Sequence, residues 1–276
     1  MHELLKYLQL AGLIFRHGHV SHSGEDFNKK RIEGLKGLEE FFPTASRAPV
    51  PSGGTTPHAL IVQAAFIKNS WKTYGGHLTV NNLCYVRIPK AASTSMSYEL
   101  LKKKFPDLHQ QSITERQINF LADIHLEKEV KKSPAYFTIV RNPFSRLVSV
   151  YRDLFENPDH YVYRDYLFGI LPQQLSFSEF VDRISRIPDR LKDQHIKPQC
   201  AFLKFYERQG VNVKVFKLEE TGLLNQFLNQ HGLLLPHLNK SGESYDDRSY
   251  YDHSTWKKAS EIYRVDIEQF GYDHAI

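Results

Sequence analysis

The sequence predicts an α/β fold, a three-layer sandwich with a central parallel sheet, preceded by a helical N-terminal extension. Three features point to it. Short runs of β-branched and aromatic residues recur from Leu83 onward, and a turn and an amphipathic stretch follow the first two of them. Strands alternating with helices build right-handed βαβ units, whose parallel sheets are covered on both faces. The 276 residues suffice for one substantial core, whereas two independent domains would each be small. The expected division is an extension over residues 1–78 and one α/β domain over residues 79–276.

In the extension, Leu4, Leu8, Ala11 and Phe15 share one helical face, and Ile32, Leu35, Leu38 and Phe41 or Phe42 share another. Both stripes read as core packing. The run from Pro49 to Pro57, PVPSGGTTP, is a string of turn formers and reads as a linker or loop. LCYVRI, Leu83 to Ile88, is the first expected strand, followed by a loop and a helix through Tyr98 and Leu101. AYFTIV, Ala135 to Val140, is the second, again followed by a turn and a helix; VNVKVF, Val211 to Phe216, is the third. Thr255 to Phe270 reads as a closing helix.

Composition narrows the function. Hydrophobic residues at 41% and charged residues at 24% are ordinary globular usage, which excludes wholesale disorder. Thirty-six Lys+Arg against 31 Asp+Glu leave a net charge of +5, an excess that suits small anions and is too weak to argue for nucleic acid. Cys84 and Cys200 have no CxxC spacing, so neither a disulfide framework nor a zinc site is indicated, and a reducing compartment fits. No HxxEH or paired-Asp arrangement calls for a metal. The apolar run from Leu10 to Phe15 is stopped by Arg16, too short for a signal sequence or a membrane span. With a native start at Met1, the expected location is cytoplasmic.

Two loops carry the chemistry. Lys90, Ala91, Ala92, Ser93, Thr94 and Ser95 lie between the first strand and its helix. Small residues let backbone N–H groups approach an anion, the helix start is positive, Lys90 supplies a cation and the hydroxyls add donors. The alternative for such a string is a plain strand–helix turn with a Ser/Thr cap. The nucleoside triphosphatase pattern GxxxxGK[ST] is absent. The second loop runs from Arg141 to Tyr151, RNPFSRLVSVY. Asn142 suits a helix cap and Pro143 the first helical position. Arg141 ends the strand, and Ser149 lies about two helical turns along. An arginine fork beside a helix start is a receptor for a second phosphate; alone, it would read as a surface arginine.

Together these loops resemble the phosphosulfate and 3'-phosphate loops of sulfotransferases that use 3'-phosphoadenosine 5'-phosphosulfate (PAPS). The likeness is to the carbohydrate branch with the chondroitin and dermatan enzymes, which reads P-K-x-A-S-T and R-[DEN]-P-F-x-R-L-V-S-x-Y. Lys90 and Arg141 stand 51 residues apart. Further similar fragments are Asp193 to Gln199, Phe216 to Thr221, His237 to Ser241 and Ile262 to Tyr272, so the resemblance covers about residues 83–273. It implies a P-loop-like sandwich and a sulfotransferase catalytic domain. It also implies that Lys90, Ser93, Thr94 and Ser95 hold the phosphosulfate, that Arg141 and Ser149 hold the 3'-phosphate, and that Lys240 and Ser241 close over the nucleotide. PAPS would be the donor, adenosine 3',5'-bisphosphate (PAP) the product, and a hydroxyl of a carbohydrate or carbohydrate-like molecule the acceptor. The chain departs from the branch at Ile196, where many relatives carry an aromatic, and in the absence of the anchor found in the eukaryotic enzymes.

Sulfonyl transfer needs a base near the acceptor and a cation at the leaving group. Lys90 suits the second role. His195, in the DxHxxPQ segment, is the first candidate base, and His125 the second. Rival readings are a lipid, polyketide or phenol acceptor, a phosphotransferase, which would want a magnesium-binding Ser/Thr after a P-loop lysine, and a scaffold that kept the loops for folding.

Overall fold

A computed structural model describes residues 76–106, 108, 113–127, 129–132, 134–156, 175–187, 189, 192, 194–236 and 246–273. The helical stripes of the extension, the Pro49–Pro57 run, Asp193, Lys240 and Ser241 lie outside these residues. The chain groups into two compact units. One takes in Thr73–Val148, Lys197–Asp252 and Ser260–Ile276; to the other belong Ser149–Ile196 and His253–Ala259.

The first unit is built on a four-stranded sheet in the order β1 (His77–Val80), β2 (Leu83–Val86), β3 (Ala135–Val140), β4 (Val213–Lys217). β2, β3 and β4 are parallel, while β1 runs antiparallel to β2 with His77 opposite Val86. The expected parallel sheet therefore carries one antiparallel strand at its edge. The reason is local: Asn81 and Asn82 separate two apolar runs, and Asn81 takes φ 53°, a left-handed value that asparagine tolerates in two-residue hairpin turns. β3 matches its expected span. β4 starts two residues later than expected, at Val213, and ends at Lys217.

The two sheet faces bury different sets. Cys84, Val86, Tyr136, Val140 and Val213 alternate onto one face and pack with Cys200, Phe202, Leu203 and Tyr206 of helix α5 (Cys200–Glu207) and with Phe270. Phe137 and Phe216 point to the other, where Phe227 of α6 (Thr221–Gln230) lies 5.2 and 4.6 Å away between ring centres. Helices thus cover both faces, as strands with almost wholly buried side chains require. Between β2 and β3 come α1 (Ser93–Lys104) and α2 (Glu115–Ile124), which pack together; α1 also meets β1. α2 starts at a capping box in which Thr114 and Gln117 satisfy each other's backbone N–H groups. The expected closing helix is two: α7 (His253–Ile262) and α8 (Arg264–Phe270), broken at Tyr263.

The division between units falls within α3 (Pro143–Tyr151), which continues as one π-helical turn, Arg152–Glu156. In the second unit Tyr151, Phe155, Phe177 and Phe180 form an aromatic cluster, and the Tyr151 hydroxyl donates to Leu175 O at 2.8 Å. Its helix α4 (Phe177–Ser185) opens with a Ser176–Glu179 capping box. Asp182 on α4 binds Lys258 at 2.6 Å.

Candidate active site

Because β2 and β3 are parallel neighbours, the segments leaving their carboxyl ends emerge side by side. Those segments are the two loops singled out above. The Thr138 hydroxyl donates to Val86 O at 2.8 Å and ties the strand ends together.

In the first loop, Lys90 and Ala92 both have positive φ, 65° and 56°, with Ala91 fully buried between them. A left-handed backbone costs a residue with a Cβ about 1–2 kcal/mol, and such strain gathers at sites where it turns main-chain groups to a purpose. Alternation of this kind curls successive N–H groups around an anion-sized hollow. Ala92 is the N-cap of α1 and has no side-chain group to cap the helix, and the first turn has no acidic residue. The positive helix start is therefore neither capped nor neutralised by its own sequence. Ser93, Thr94 and Ser95 are buried in that turn. The Thr94 hydroxyl lies 3.2 Å from both Glu115 Oε1 and Asn119 Oδ1, so its proton is directed at α2. Arg87, which also binds Asn119 and Asp123, closes this α2 contact.

The second loop behaves as its sequence suggests. Asn142 Oδ1 accepts from Phe144 N at 3.0 Å and Ser145 N at 3.4 Å, and Pro143 opens α3. Arg141 is half-buried, its guanidinium 3.9 Å from Asp247 Oδ2, a separation at the outer limit of an ion pair. Asp247 sits on a short 3-10 helix capped by Asp246, and its Oδ1 is buried without a hydrogen-bond partner among the described residues. Ser149 is half-buried on α3 and falls in the second unit.

Four residues that the sequence reading gave no role hold these loops. Arg146 is almost wholly buried on α3; its Nε donates to Pro89 O and its Nη1 to Lys197 O, both at 2.9 Å. The second loop's helix is thereby fastened to the residue before Lys90. Gln199 binds Arg141 through both ends of its side-chain amide, and Asp266 accepts from the backbone of Gln199 and Cys200 at 2.7 and 2.8 Å. Burial pushes the Asp266 carboxyl up, against those two N–H groups and nearby Arg146. From the end of β4, Glu219 accepts from Asn142 N at 2.6 Å and from the Tyr272 hydroxyl at 3.0 Å. Arg146 had a sequence signal, since it falls with Pro143, Leu147 and Val150 on one helical face that is otherwise apolar.

Of the candidate bases, His125 lies in the same unit as both loops, ending α2 with its ring 4.9 Å from Phe105. Burial, with Lys104 adding to it, holds its pKa below the ordinary histidine value. His195 is half-buried in the turn at 194–196 and belongs to the other unit. Among the described residues no His, Cys, Asp or Glu cluster could hold a metal, and no helix is long and apolar enough to cross a membrane.

No curated protein and no solved structure matches the chain. Residues 79–273 match the sulfotransferase family, over a span that begins in β1 and takes in both loops, α8 and Tyr272, so the chain belongs to that family, whose members transfer a sulfonate group to a hydroxyl-bearing acceptor.

Proposed function

We propose that the protein transfers the sulfonate of PAPS to a hydroxyl of a carbohydrate or carbohydrate-like acceptor by in-line displacement. The observation that carries this reading is the left-handed pair Lys90 and Ala92 at the uncapped start of α1, beside Arg141 at the end of the neighbouring strand. The first loop then receives the 5'-phosphosulfate on the N–H groups of residues 91–95, with Ser93 and Ser95 as side-chain donors. Thr94, engaged with α2, contributes chiefly through its backbone. Arg141 and Ser149 receive the 3'-phosphate, and the segment with Lys240 and Ser241 closes over the nucleotide.

In the reaction the acceptor oxygen attacks sulfur, the bond from sulfur to the bridging oxygen of the 5'-phosphate breaks, and the acceptor proton passes to a base. The products are a sulfate ester and PAP. Lys90 acts where charge grows on the departing phosphate oxygen. His195 is the first assignment for the base and His125 the second. No metal takes part in these steps. The carbohydrate acceptor rests on the motif forms P-K-x-A-S-T and R-N-P-F-x-R-L-V-S-x-Y as they stand in this chain.

The test is nucleotide selectivity. Calorimetry should show tighter binding of PAP than of AMP, and Arg141→Ala should abolish the difference, because the arginine fork reads the extra phosphate. Equal affinity of the unmodified protein for the two would remove the assignment of the second loop.

A further inference from the structure

We propose that Gln199, held by Asp266, is a positioning residue that aims Arg141 at the 3'-phosphate; the inference rests on the donor reading given above. Arg141 is the first residue beyond β3, whose ladder with β4 ends at Val140 opposite Lys217 and with a bond from Leu218 N to Val140 O. Residues alternate in the side to which their main-chain groups point, so Arg141 turns its N–H and C=O away from β4. The partner on that side is a side chain. Gln199 Oε1 accepts from Arg141 N at 2.9 Å, and Gln199 Nε2 donates to Arg141 O at 2.7 Å. One amide group thus continues the sheet for a single residue, supplying the acceptor and the donor that a further strand would have offered.

Gln199 is itself fully buried and fixed from behind. Its backbone N–H donates to Asp266 Oδ2 at 2.7 Å and the next N–H, that of Cys200, to Oδ1 at 2.8 Å. Asp266, from α8, is the anion at the start of α5, with the Arg146 charge nearby. The connection therefore runs from α8 through the start of α5 to the backbone of one arginine.

The side chain of Arg141, by contrast, has among the described residues the 3.9 Å pair with Asp247. Its direction is set by the backbone from which it springs. A bidentate fork recognises phosphate only in the correct plane. Gln199 and Asp266 touch neither nucleotide nor acceptor in this arrangement; they determine whether the fork points at the 3'-phosphate.

The test compares the unmodified protein with Gln199→Met, which keeps the length of the side chain and removes both hydrogen-bonding groups. Calorimetric affinities for PAP and AMP are measured together with thermal unfolding. The unmodified protein should prefer PAP. Gln199→Met should weaken PAP binding about ten- to a hundred-fold, the equivalent of one charge-assisted hydrogen bond, and leave AMP binding within about two-fold, so that the preference collapses. In an Arg141→Ala background the same change should have no further effect on the ratio. Asp266→Asn, which loses one of two acceptor oxygens, should act in the same direction by a smaller factor, and serves alone if Gln199→Met does not fold. A preference retained in the Gln199 or Asp266 variant, whether or not both affinities fall, would overturn the positioning role. Absence of any preference in the unmodified protein would instead remove the donor reading, and this inference with it.

Discussion

Replacing Arg146 separates fastening of the loops from direct binding. Its guanidinium donates to Pro89 O and Lys197 O at 2.9 Å, from a position about 1% exposed. Hydrogen bonds from a charged donor contribute about 1.5–3 kcal/mol each, and removing one member of a buried charge pair costs about 3–5 kcal/mol. Arg146→Met loses both carbonyl bonds, together about 3–5 kcal/mol. Against a total stability of about 5–15 kcal/mol, this is a fifth or more of the whole. Arg146→Lys keeps the charge and reaches one carbonyl, at a cost of about 1–3 kcal/mol for the other. At about 2–4 °C per kcal/mol for a domain of this size, Tm should fall by about 6–20 °C for the methionine variant and about 2–12 °C for the lysine variant. Urea unfolding of Arg146→Met, Asp266→Asn and the double variant should show the double to be less destabilised than the sum by about 1–3 kcal/mol. An Arg146→Met protein within about 1 kcal/mol of the unmodified one would refute the fastening role.

Lys90→Ala should lower single-turnover rate by about two to three orders of magnitude and change PAP affinity only a few-fold, because its contribution belongs to the transition state; a rate equal to that of the unmodified protein would exclude the leaving-group role. Ala92→Gly should raise stability by about 1 kcal/mol, read as a Tm increase of about 2–4 °C, since φ 56° strains alanine and not glycine. His195→Ala should cost about two to four orders of magnitude in rate with PAP binding little changed, and His125→Ala should be comparatively mild. If His125 were the base instead, its loss would be the severe one, and the rate of the unmodified protein would fall on acidification only below about pH 6.5, because burial lowers that pKa and the neutral, basic form persists to lower pH.

The parts of the fold that were legible are those set by neighbours in sequence. β3 ends where its apolar run ends, Asn142 and Pro143 start α3 with the cap expected of them, and the small residues after Ile88 form the turn into α1. β1 escaped because HLTV is a four-residue strand with no long alternation, and its signal lay in the Asn81–Asn82 turn. The break at Tyr263 escaped because apolar spacing continues across it: Trp256, Ala259, Tyr263, Ile267 and Phe270 are all buried.

The site divides along the same line. Residues expected to touch an anion, Lys90 and Arg141, stand in short loops whose spacing from strand and helix is written locally. Residues that hold those loops are joined over long separations: Arg146 to Pro89 across 57 positions, Gln199 to Arg141 across 58 and Asp266 to Gln199 across 67. Periodicity reports which face of an element is buried, and it placed Arg146 on such a face without naming its partners. The same spacing sets Asp266 on a face with Tyr263, Ile267 and Phe270, and it has nothing to report about Gln199; a buried amide or carboxylate is tolerated only when distant backbone groups complete its hydrogen bonds. Substitutions at these three positions should therefore disturb the site while leaving local helix and strand preferences intact. That is the property by which the Arg146, Gln199 and Asp266 variants differ from a substitution such as Asn142→Ala, whose damage begins at the start of its own helix.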